Sequence, residues 1–372
     1  MTLDEMASRA RKGKQALVVY SPASGRARQL PQALSSLENA GLEIVQALPI
    51  SDLREQSAQG QRWLEQGIEV VIAAGGDGVI GSTINHLAGS GLALGIMPLG
   101  TSNDIARSLA IPLALEDAAR TLARGRTRMI DLGAAYPLDP SRAFSEQLAE
   151  GAAPIYGYFA HVLTVGLNVH FAQIATNVAT RKRYGRLTYP VAALEVLRNP
   201  EILPVRLQFE GLQFPPHAHR QQQADRPVSV EYAELSSRAL QVTVINAPIF
   251  GGAWQIALPG SSLEDEVLDV VVFEEFGSGQ LGARLASFFN SPPLDTTRQG
   301  EHDATETLLR QPAELTGLPG IHHFQARAIA ISTGQSPQPI TLDGEIVGQT
   351  PVYVRLLRHF LPVCVPGGDA AP

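Results

Sequence analysis

Short apolar runs alternate with helix-like stretches over the first third of the chain. Runs of strand length cover residues 16–20, 42–47, 70–74 and 92–97. Continuous apolar runs are typical of strands buried on both faces of a parallel sheet, and their alternation with helices indicates an α/β domain. We therefore expect residues 15–128 to form an α/β domain with a mostly parallel sheet. The helix-like segments between the runs are residues 30–40, 53–66, 79–87 and 104–109.

After residue 129 strand-like segments dominate, which favours a second, mainly antiparallel β domain over residues 129–366. Residues 1–14 form a basic N-terminal arm and residues 367–372 a tail. One helical stretch, 191–197, interrupts the strands. The strand-like segments are 157–165, 205–209, 240–246, 267–273, 326–332, 339–342 and 352–356. Segments with the composition of loops or insertions are 137–154, 215–227 and 291–320.

Composition narrows the class of protein. Of 372 residues, 44% are hydrophobic and 17% are charged, which is a globular balance. The net charge of −7 argues against nucleic-acid binding through a general basic field. The single cysteine, Cys364, excludes an internal disulfide framework and fits a reducing cytoplasm. No apolar run reaches about 18 residues, so we expect no transmembrane segment.

The turn after the third apolar run, Gly75-Gly76-Asp77-Gly78, carries the clearest chemical signal. Glycines let the backbone turn tightly and approach a ligand closely, because no Cβ intervenes. The amides at the start of the following helix suit a phosphate group. A carboxylate beside phosphates, here Asp77, is a group that binds magnesium or accepts a proton from a hydroxyl.

The loop after the fourth run, residues 98–104, has two interpretations. Ser102 or Asn103 can cap the following helix through a side-chain oxygen, and Asp104 is favourable in its first turn. Alternatively, the loop belongs to a nucleotide site. Ligands bind at the carboxyl ends of strands in such sheets, and the Gly75 turn lies at the same edge.

Asp343-Gly344 lies between two strand-like segments, and this pair is a strong hairpin signal. The alternative is a functional role, in which Asp343 points into the interdomain cleft as a base or metal ligand. Glu345 would then add a second anionic group. On the residues alone both interpretations stay open.

A fourth segment, residues 246–252 with the acidic stretch 265–269, combines glycines, carbonyls and carboxylates that could hold Mg²⁺ or Ca²⁺. Ordinary turns of a β protein have the same composition. His161 and His170 lie on an apolar, strand-like stretch, and we expect both to be core histidines. No histidine spacing suits zinc.

Taken together and in this order, the motifs resemble the catalytic domain of the diacylglycerol kinase family, and most closely its bacterial soluble lipid kinases, which are related to sphingosine kinases. Residues 21–25 match the family's Asn-Pro-x-Ser-Gly loop, and residues 75–78 match its Gly-Gly-Asp-Gly-Thr turn. Residues 98–104 match Pro-Leu-Gly-Thr-Gly-Asn-Asp, and residues 343–345 match a late Asp-Gly-Glu. The resemblance covers residues 16–365. Gly-Gly-Asp-Gly alone is shared with NAD kinases, so the combination is what is specific.

The resemblance implies an N-terminal α/β domain of the NAD kinase and phosphofructokinase type and a C-terminal, mainly antiparallel β-sandwich domain. ATP and Mg²⁺ would bind in the cleft, and the γ-phosphoryl group would pass to the hydroxyl of a lipid substrate at a membrane surface. This activity implies a cytoplasmic protein that associates peripherally with the membrane.

The resemblance also assigns residues. Asp343 is implied as the base or hydroxyl-orienting group, and Asp77 as a second catalytic candidate on the nucleotide or magnesium side. Asp265, with the carbonyls of Ser262 and Val267, resembles the family's structural magnesium loop. The implied nucleotide contacts are Ser24, Gly75, Gly76, Gly78, Thr101, Asn103 and Glu345, the last as a metal or nucleotide contact.

The chain also departs from the family pattern. Ser21 replaces the asparagine of the first loop, and the other departures are Val79 for threonine, Ser82 for glutamate, Asn168 for aspartate and Glu266 for glycine. Two alternatives to a lipid kinase therefore stay open: a kinase for a non-lipid hydroxyl, as in NAD kinase, and a nucleotide- or lipid-binding module without turnover. For a lipid tail, position alone suggests an apolar cleft in the β domain, around Phe159, Leu163, Val165 and Phe171.

Overall fold

The computed structural model describes residues 13–53, 58–139, 142, 155–167, 169–170, 201–213, 229–250, 256–258, 261–274, 320–334 and 336–367. Its N-terminal domain consists of β1 (Lys14–Tyr20), α1 (Leu30–Asn39), β2 (Leu42–Pro49), α2 (Gly60–Glu65), β3 (Val70–Gly75), α3 (Asp77–Leu87), β4 (Ala93–Pro98), α4 (Asp104–Ser108) and α5 (Leu115–Arg124). Two short 3-10 turns cover Ala27–Gln29 and Ile50–Asp52. The four strands pair in parallel in the order β2-β1-β3-β4.

Alternate residues of the central strands face two different cores. Ile72 of β3 packs with Leu37 of α1 and Leu122 of α5 on one face of the sheet. Val71 packs with Ile80 of α3 on the other face. Because β3 and β4 are adjacent and parallel, the turns that follow them lie side by side at one edge of the sheet.

The C-terminal domain is mainly antiparallel. Its pairing order is β16-β15-β7-β9-β12-β13-β8-β14-β17. In its core the rings of Phe209 and Phe324 pack at an angle of 52° with centroids 5.2 Å apart. The strands are β5 (Arg126–Pro137), β6 (Gly157–Phe159), β7 (Val162–Gly166), β8 (Leu203–Gln213), β9 (Ser229–Ile245), β10 (Ile249–Phe250), β11 (Ile256–Ala257), β12 (Leu268–Glu274), β13 (Ile321–Ala326), β14 (Ala328–Thr333), β15 (Pro339–Leu342), β16 (Glu345–Gln349) and β17 (Val352–Val365).

The last strand joins the two domains. β17 is antiparallel to β14 and to β5, and near its end Val363 pairs in parallel with Leu94 of β4. The parallel sheet and the antiparallel strands are therefore parts of one continuous hydrogen-bonded sheet, to which the described residues contribute 15 strands.

The predicted fold class, an α/β domain followed by a mainly antiparallel β domain, is confirmed. Two predicted strands are each divided in two. The segment 157–165 is interrupted at Ala160 and His161, whose N–H groups bind a side chain instead of a neighbouring strand. The segment 326–332 is interrupted at Arg327, whose N–H donates to the Glu210 carbonyl at 3.0 Å. The predicted helix 53–66 is helical only over Gly60–Glu65, and residues 54–57 lie outside the described residues.

Several predictions fall on residues that the structure does not describe. They are the helix 191–197, Phe171, Asn168, and most of the loops 137–154, 215–227 and 291–320. Among the helices of the described part, none has the length and apolarity needed to cross a bilayer.

Candidate active site

The glycine turn after β3 packs backbone to backbone against the loop after β4. Gly76 precedes α3 in an extended conformation, and a Cβ on it would lie 3.0 Å from Gly100 Cα. A Cβ on Gly100 would overlap Gly76 itself. The N–H of Leu99 donates to the Gly75 carbonyl at 2.9 Å. Glycine is therefore required where the two loops meet, and together they form one surface of backbone.

Asp77 joins this turn to the start of α4. Its Oδ1 accepts the N–H of Ile105 at 2.9 Å, and its Oδ2 accepts the N–H of Asp104 at 3.2 Å. The carboxylate therefore caps a helix that follows the next strand. Asp77 does not line either of the two cavities that flank the start of α3.

The prediction that the side chain of Ser102 or Asn103 caps this helix is wrong. Asn103 does precede α4, in a left-handed conformation with φ of 54°, but its side chain makes no cap. Its Oδ1 accepts the N–H of Gly100 at 2.9 Å, and its Nδ2 donates to the Gly100 carbonyl at 3.0 Å. The amide of Asn103 thus fixes the loop, and Asp77 supplies the cap.

A third loop, after β1, completes this corner. Thr101 Oγ1 would overlap a Cβ on Gly25, and Ser24 Oγ would lie 3.1 Å from a Cβ on Gly75. The N–H of Arg26 donates to the Leu99 carbonyl at 2.9 Å. A cavity of about 260 Å³ opens between the three loops. Its lining includes the predicted nucleotide contacts Ser24, Gly76, Gly78, Thr101 and Glu345.

Asp343 is held in the turn between β15 and β16. Asp343 and Gly344 both have positive φ, 47° and 90°, as expected for the predicted Asp-Gly hairpin. The Asp343 carboxylate accepts the N–H groups of Ala160, His161 and Val162 at 3.3, 3.1 and 2.9 Å. Asp343 is therefore part of a hairpin turn, and the conformation of that turn directs its side chain toward the break between β6 and β7.

Asp343 also lies against α3 of the N-terminal domain. A Cβ on Gly81 would be 2.9 Å from Asp343 Oδ2, so a larger residue there would displace the Asp343 side chain. Burial raises the pKa of Asp343 to about 6, while the positive charge of His161 and the backbone hydrogen bonds work against that rise. Such a carboxyl titrates near neutral pH, where a proton acceptor is most useful.

A second cavity, of about 300 Å³, lies on the Asp343 side. Gly78, Ser82, Ile50 and Glu345 line both this cavity and the one between the glycine loops. The two cavities are therefore neighbours across the start of α3. One has walls that include glycine backbone and hydroxyl groups, and the other has walls that include Asp343, Tyr156, Tyr158 and Leu342.

Asn85, which sequence reasoning did not identify, fixes the β6 backbone to α3. Its Oδ1 accepts the N–H of Tyr158 at 2.8 Å, and its Nδ2 donates to the carbonyls of Tyr158 and Gly81 at 2.9 Å each. Asn85, Gly81 and Ser82 follow the glycine turn on one helix. An asparagine and a glycine four residues apart on this helix were the signal available in the sequence.

The predicted magnesium loop has a compact acidic structure. Asp265 Oδ2 accepts the N–H of Ser262 at 2.7 Å, and Oδ1 accepts the N–H of Val267 at 3.2 Å. Burial raises the pKa of Asp265 to about 6, and the charges of Asp269 and Asp131 add to the rise. A cation would relieve this excess of negative charge. Within the described ranges no group of three or more His, Cys, Asp or Glu residues is arranged to hold a metal. The metal role of Asp265 therefore stays a prediction.

The suggested lipid-tail residues do not line a cleft. Phe159, Leu163 and Val165 are all fully buried and belong to the packed core of the β domain. Phe159 lies so close to Gly133 that a Cβ there would overlap its ring. The apolar positions of a strand next to the cleft are core positions, so that hypothesis is wrong for these three residues.

Two protein-family models match segments of the chain. Residues 15–135 match the diacylglycerol kinase catalytic domain, and residues 161–298 match the YegS C-terminal NAD kinase beta sandwich-like domain. The chain belongs to the diacylglycerol kinase catalytic-domain family. Asp343 lies beyond both matched segments, so its relation to the site rests on the contacts with Gly81 and with the β6–β7 break.

Curated members of the family resemble the chain over nearly its whole length. A diacylglycerol kinase of Staphylococcus saprophyticus is 25% identical over 360 residues, covering 95% of this chain and 96% of the relative. One of Staphylococcus aureus is 25% identical over 354 residues, covering 93% and 91%.

Solved structures share the fold. A Bacillus anthracis protein has a TM-score of 0.60 at 20% identity and covers 97% of this chain and 99% of its own. A second structure, of a B. anthracis diacylglycerol kinase, has a TM-score of 0.56 at 18% identity and covers 96% and 98%.

Proposed function

We propose that this member of the diacylglycerol kinase family is an ATP- and Mg²⁺-dependent lipid kinase, which transfers the γ-phosphoryl group to a lipid hydroxyl. The observation that carries the proposal is the contact of Asp343 with Gly81. It brings a buried carboxylate into the wall of a cavity that shares Gly78, Ser82 and Glu345 with the cavity lined by glycine loops.

The glycine-loop cavity suits the phosphates of ATP. Its walls include Gly76, Gly78 and Gly100, and it lies at the N-terminus of α3, where first-turn amides lack partners within the helix. The positive end of the helix dipole favours phosphate there. A Cβ on Gly78 would meet no atom within 4 Å, so this glycine leaves open space beside the turn.

Asp343 is the proposed proton acceptor. The hydroxyl of the acceptor would lie in the second cavity, donate its proton to the Asp343 carboxylate, and form a bond from its oxygen to the γ-phosphorus. The bond from that phosphorus to the β–γ bridging oxygen would break, and ADP would leave. Asp77 does not line the cavities, so we assign it the positioning of α4 and of the loop that contains Gly100.

Mg²⁺ bound with ATP would neutralise phosphate charge during the transfer. Glu345 fits a contact with that ion or with the nucleotide, because it lines both cavities. Asp265 fits a separate structural ion, because its carboxylate lies in a buried, acidic environment.

The test is a phosphorylation assay on the purified full-length chain. Mg-ATP is offered with diacylglycerol, a sphingoid base, ceramide and phosphatidylglycerol in mixed micelles, and products are read by mass spectrometry for a gain of one phosphate. We expect one lipid to be phosphorylated, and Asp343→Asn to lower kcat by roughly 10²–10⁴ with folding unchanged.

Each other result has a distinct meaning. Transfer to NAD⁺ or another polar acceptor, with none to lipid, would support a kinase for a non-lipid hydroxyl. Binding of ATP or lipid without ADP release would support a binding module. Normal turnover by Asp343→Asn would remove Asp343 from the role of base.

A further inference from the structure

His161 is a buried titratable residue that the proposed reaction does not use. It lies in the break between β6 and β7 and is 9% exposed. Its N–H is one of three that bind the Asp343 carboxylate, and its carbonyl accepts the N–H of Asn246 at 2.9 Å. The backbone of His161 is therefore fixed against the group that we propose as the base.

The imidazole of His161 faces the N-terminal domain. Its Nε2 lies 3.9 Å from Oδ2 of Asp104 at the start of α4, and both side chains are buried. This separation exceeds a hydrogen bond, and Nε2 makes no hydrogen bond to any residue within the described ranges. A buried polar atom without a partner is unfavourable. An approach of about 1 Å would turn the contact into a charge-assisted hydrogen bond.

Three contacts in series link the glycine turn to the base. Asp77 binds the N–H of Asp104, Asp104 faces the His161 ring, and the His161 N–H binds Asp343. The series crosses from one domain to the other. A movement of the Asp77 turn and α4 would therefore reach the amide that holds Asp343.

We propose that His161 is a positioning residue that couples nucleotide binding at the glycine turn to the orientation of Asp343. This inference rests on the proposed kinase function. Nucleotide binding at the turn would bring Asp104 and His161 into hydrogen-bond contact and fix the amide that orients Asp343. Within the described ranges, the carboxylates of Asp104 from α4 and of Asp343 from the β15–β16 turn face His161.

Three variants of the full chain test this coupling, once its acceptor lipid is known. His161→Leu keeps an apolar volume but removes the ring nitrogen, whereas His161→Gln keeps an N–H donor within reach of Asp104. Ser108→Ala is the control for a general disturbance of α4: it removes the Ser108 Oγ hydrogen bonds with the Ile249 N–H at 3.3 Å and with the Asp104 backbone carbonyl at 2.9 Å, and it leaves the side chains of Asp104, His161 and Asp343 unchanged.

We expect His161→Leu to lower kcat by roughly 5- to 150-fold. It should also abolish the dependence of the acceptor Kd on a bound, non-hydrolysable ATP analogue. His161→Gln should stay within about threefold of wild type, and Ser108→Ala should match wild type. A merely structural role would lower the melting temperature and leave the dependence on the nucleotide in place.

Two outcomes separate this proposal from the kinase proposal. If wild type phosphorylates lipid and His161→Leu keeps both kcat and the coupling, the role of His161 is overturned and the kinase stands. If wild type phosphorylates no acceptor, both are overturned. Should His161→Leu fail to fold, a double-mutant cycle of Asp104→Asn with His161→Asn, whose side chain is too short to reach Asp104, decides the matter. Additive losses in kcat would reject the coupling.

Discussion

We expect Gly81→Ala to lower the activity without lowering the stability. In the interior of α3, alanine is favoured over glycine by about 1 kcal/mol because it loses less backbone entropy on folding. The new Cβ, however, would lie 2.9 Å from Asp343 Oδ2, 3.1 Å from its Cβ and 3.4 Å from its Cγ. Ordinary contacts begin near 3.4 Å, so the Asp343 side chain must retreat by about half an ångström.

That retreat acts on a side chain held by three N–H groups, at Ala160, His161 and Val162. A misplacement of about 1 Å can cost roughly 10²-fold in rate. We therefore expect Gly81→Ala to lower kcat by about tenfold with a melting temperature close to that of wild type. The measurements are steady-state kinetics with the acceptor lipid and thermal unfolding followed by circular dichroism.

Gly78→Ala is the informative comparison on the same helix. A Cβ there meets open space that belongs to both cavities, so we expect a higher KM for ATP with an intact melting temperature. Full kcat in Gly81→Ala would refute the reasoning, because it would mean that the position of Asp343 does not limit the transfer. A loss of activity that only followed a loss of folded protein would refute it too.

Three further results are expected. Asp77→Ala should lower the stability by about 1 kcal/mol, seen as a lower melting temperature, because two N–H groups of α4 lose their acceptor; Asp77→Asn, which keeps one acceptor oxygen, should lose less. The kcat/KM should rise with pH and level off above about 6, since Asp343 must be ionised to accept a proton; a flat profile from pH 5 to 7 would contradict this. Excess Mg²⁺ should raise the free energy of unfolding of wild type by up to about 2.7 kcal/mol at 100-fold over Kd, seen as a higher melting temperature, and should not stabilise Asp265→Ala; equal effects on both would reject the magnesium loop.

The same pKa shift predicts a pH dependence of folding. Because the folded-state pKa of Asp343 is raised above its ordinary value of 3.8, folding favours the neutral carboxyl. The stability that this provides is fully present below pH 3.8 and is lost as the pH rises through about 6. The stability of Asp343→Asn should not show this loss as the pH rises, whereas the contributions of other titrating groups to the pH dependence of unfolding should remain.

The sequence pattern was sufficient to predict those elements that follow from one local rule, such as an apolar run or a turn preference. The runs at β1, β3 and β4 are apolar on both faces, and Asp343-Gly344 is the favoured pair for a tight hairpin, so these elements were predicted correctly. The first half of β9 was not predicted. Its composition does not indicate a strand, because its outward side chains, among them Tyr232 and Glu234, are exposed. The strand forms because its backbone pairs with β8.

The site could be assembled only in part, because its central contacts join residues far apart in the chain. The glycine turn, the Gly100 loop and the Asp343 hairpin carry recognisable motifs. The cap that Asp77 provides to α4 and the amides of residues 160–162 that hold Asp343 have no local signal. The sequence predicts His161 to be a core histidine because its neighbours in the chain are apolar. It does not indicate the approach of His161 to Asp104, which lies far away in the chain.

The pairing of Val363 with Leu94 has a consequence for how the protein is made. During synthesis, the edge of β4 emerges from the ribosome long before β17 exists to cover it. A partly made chain therefore displays an unpaired parallel strand, which is an edge prone to association with other chains. Because β17 also pairs with β5 and β14, its arrival closes the sheet across both domains in one step. We infer that the two domains unfold cooperatively, although each has its own core.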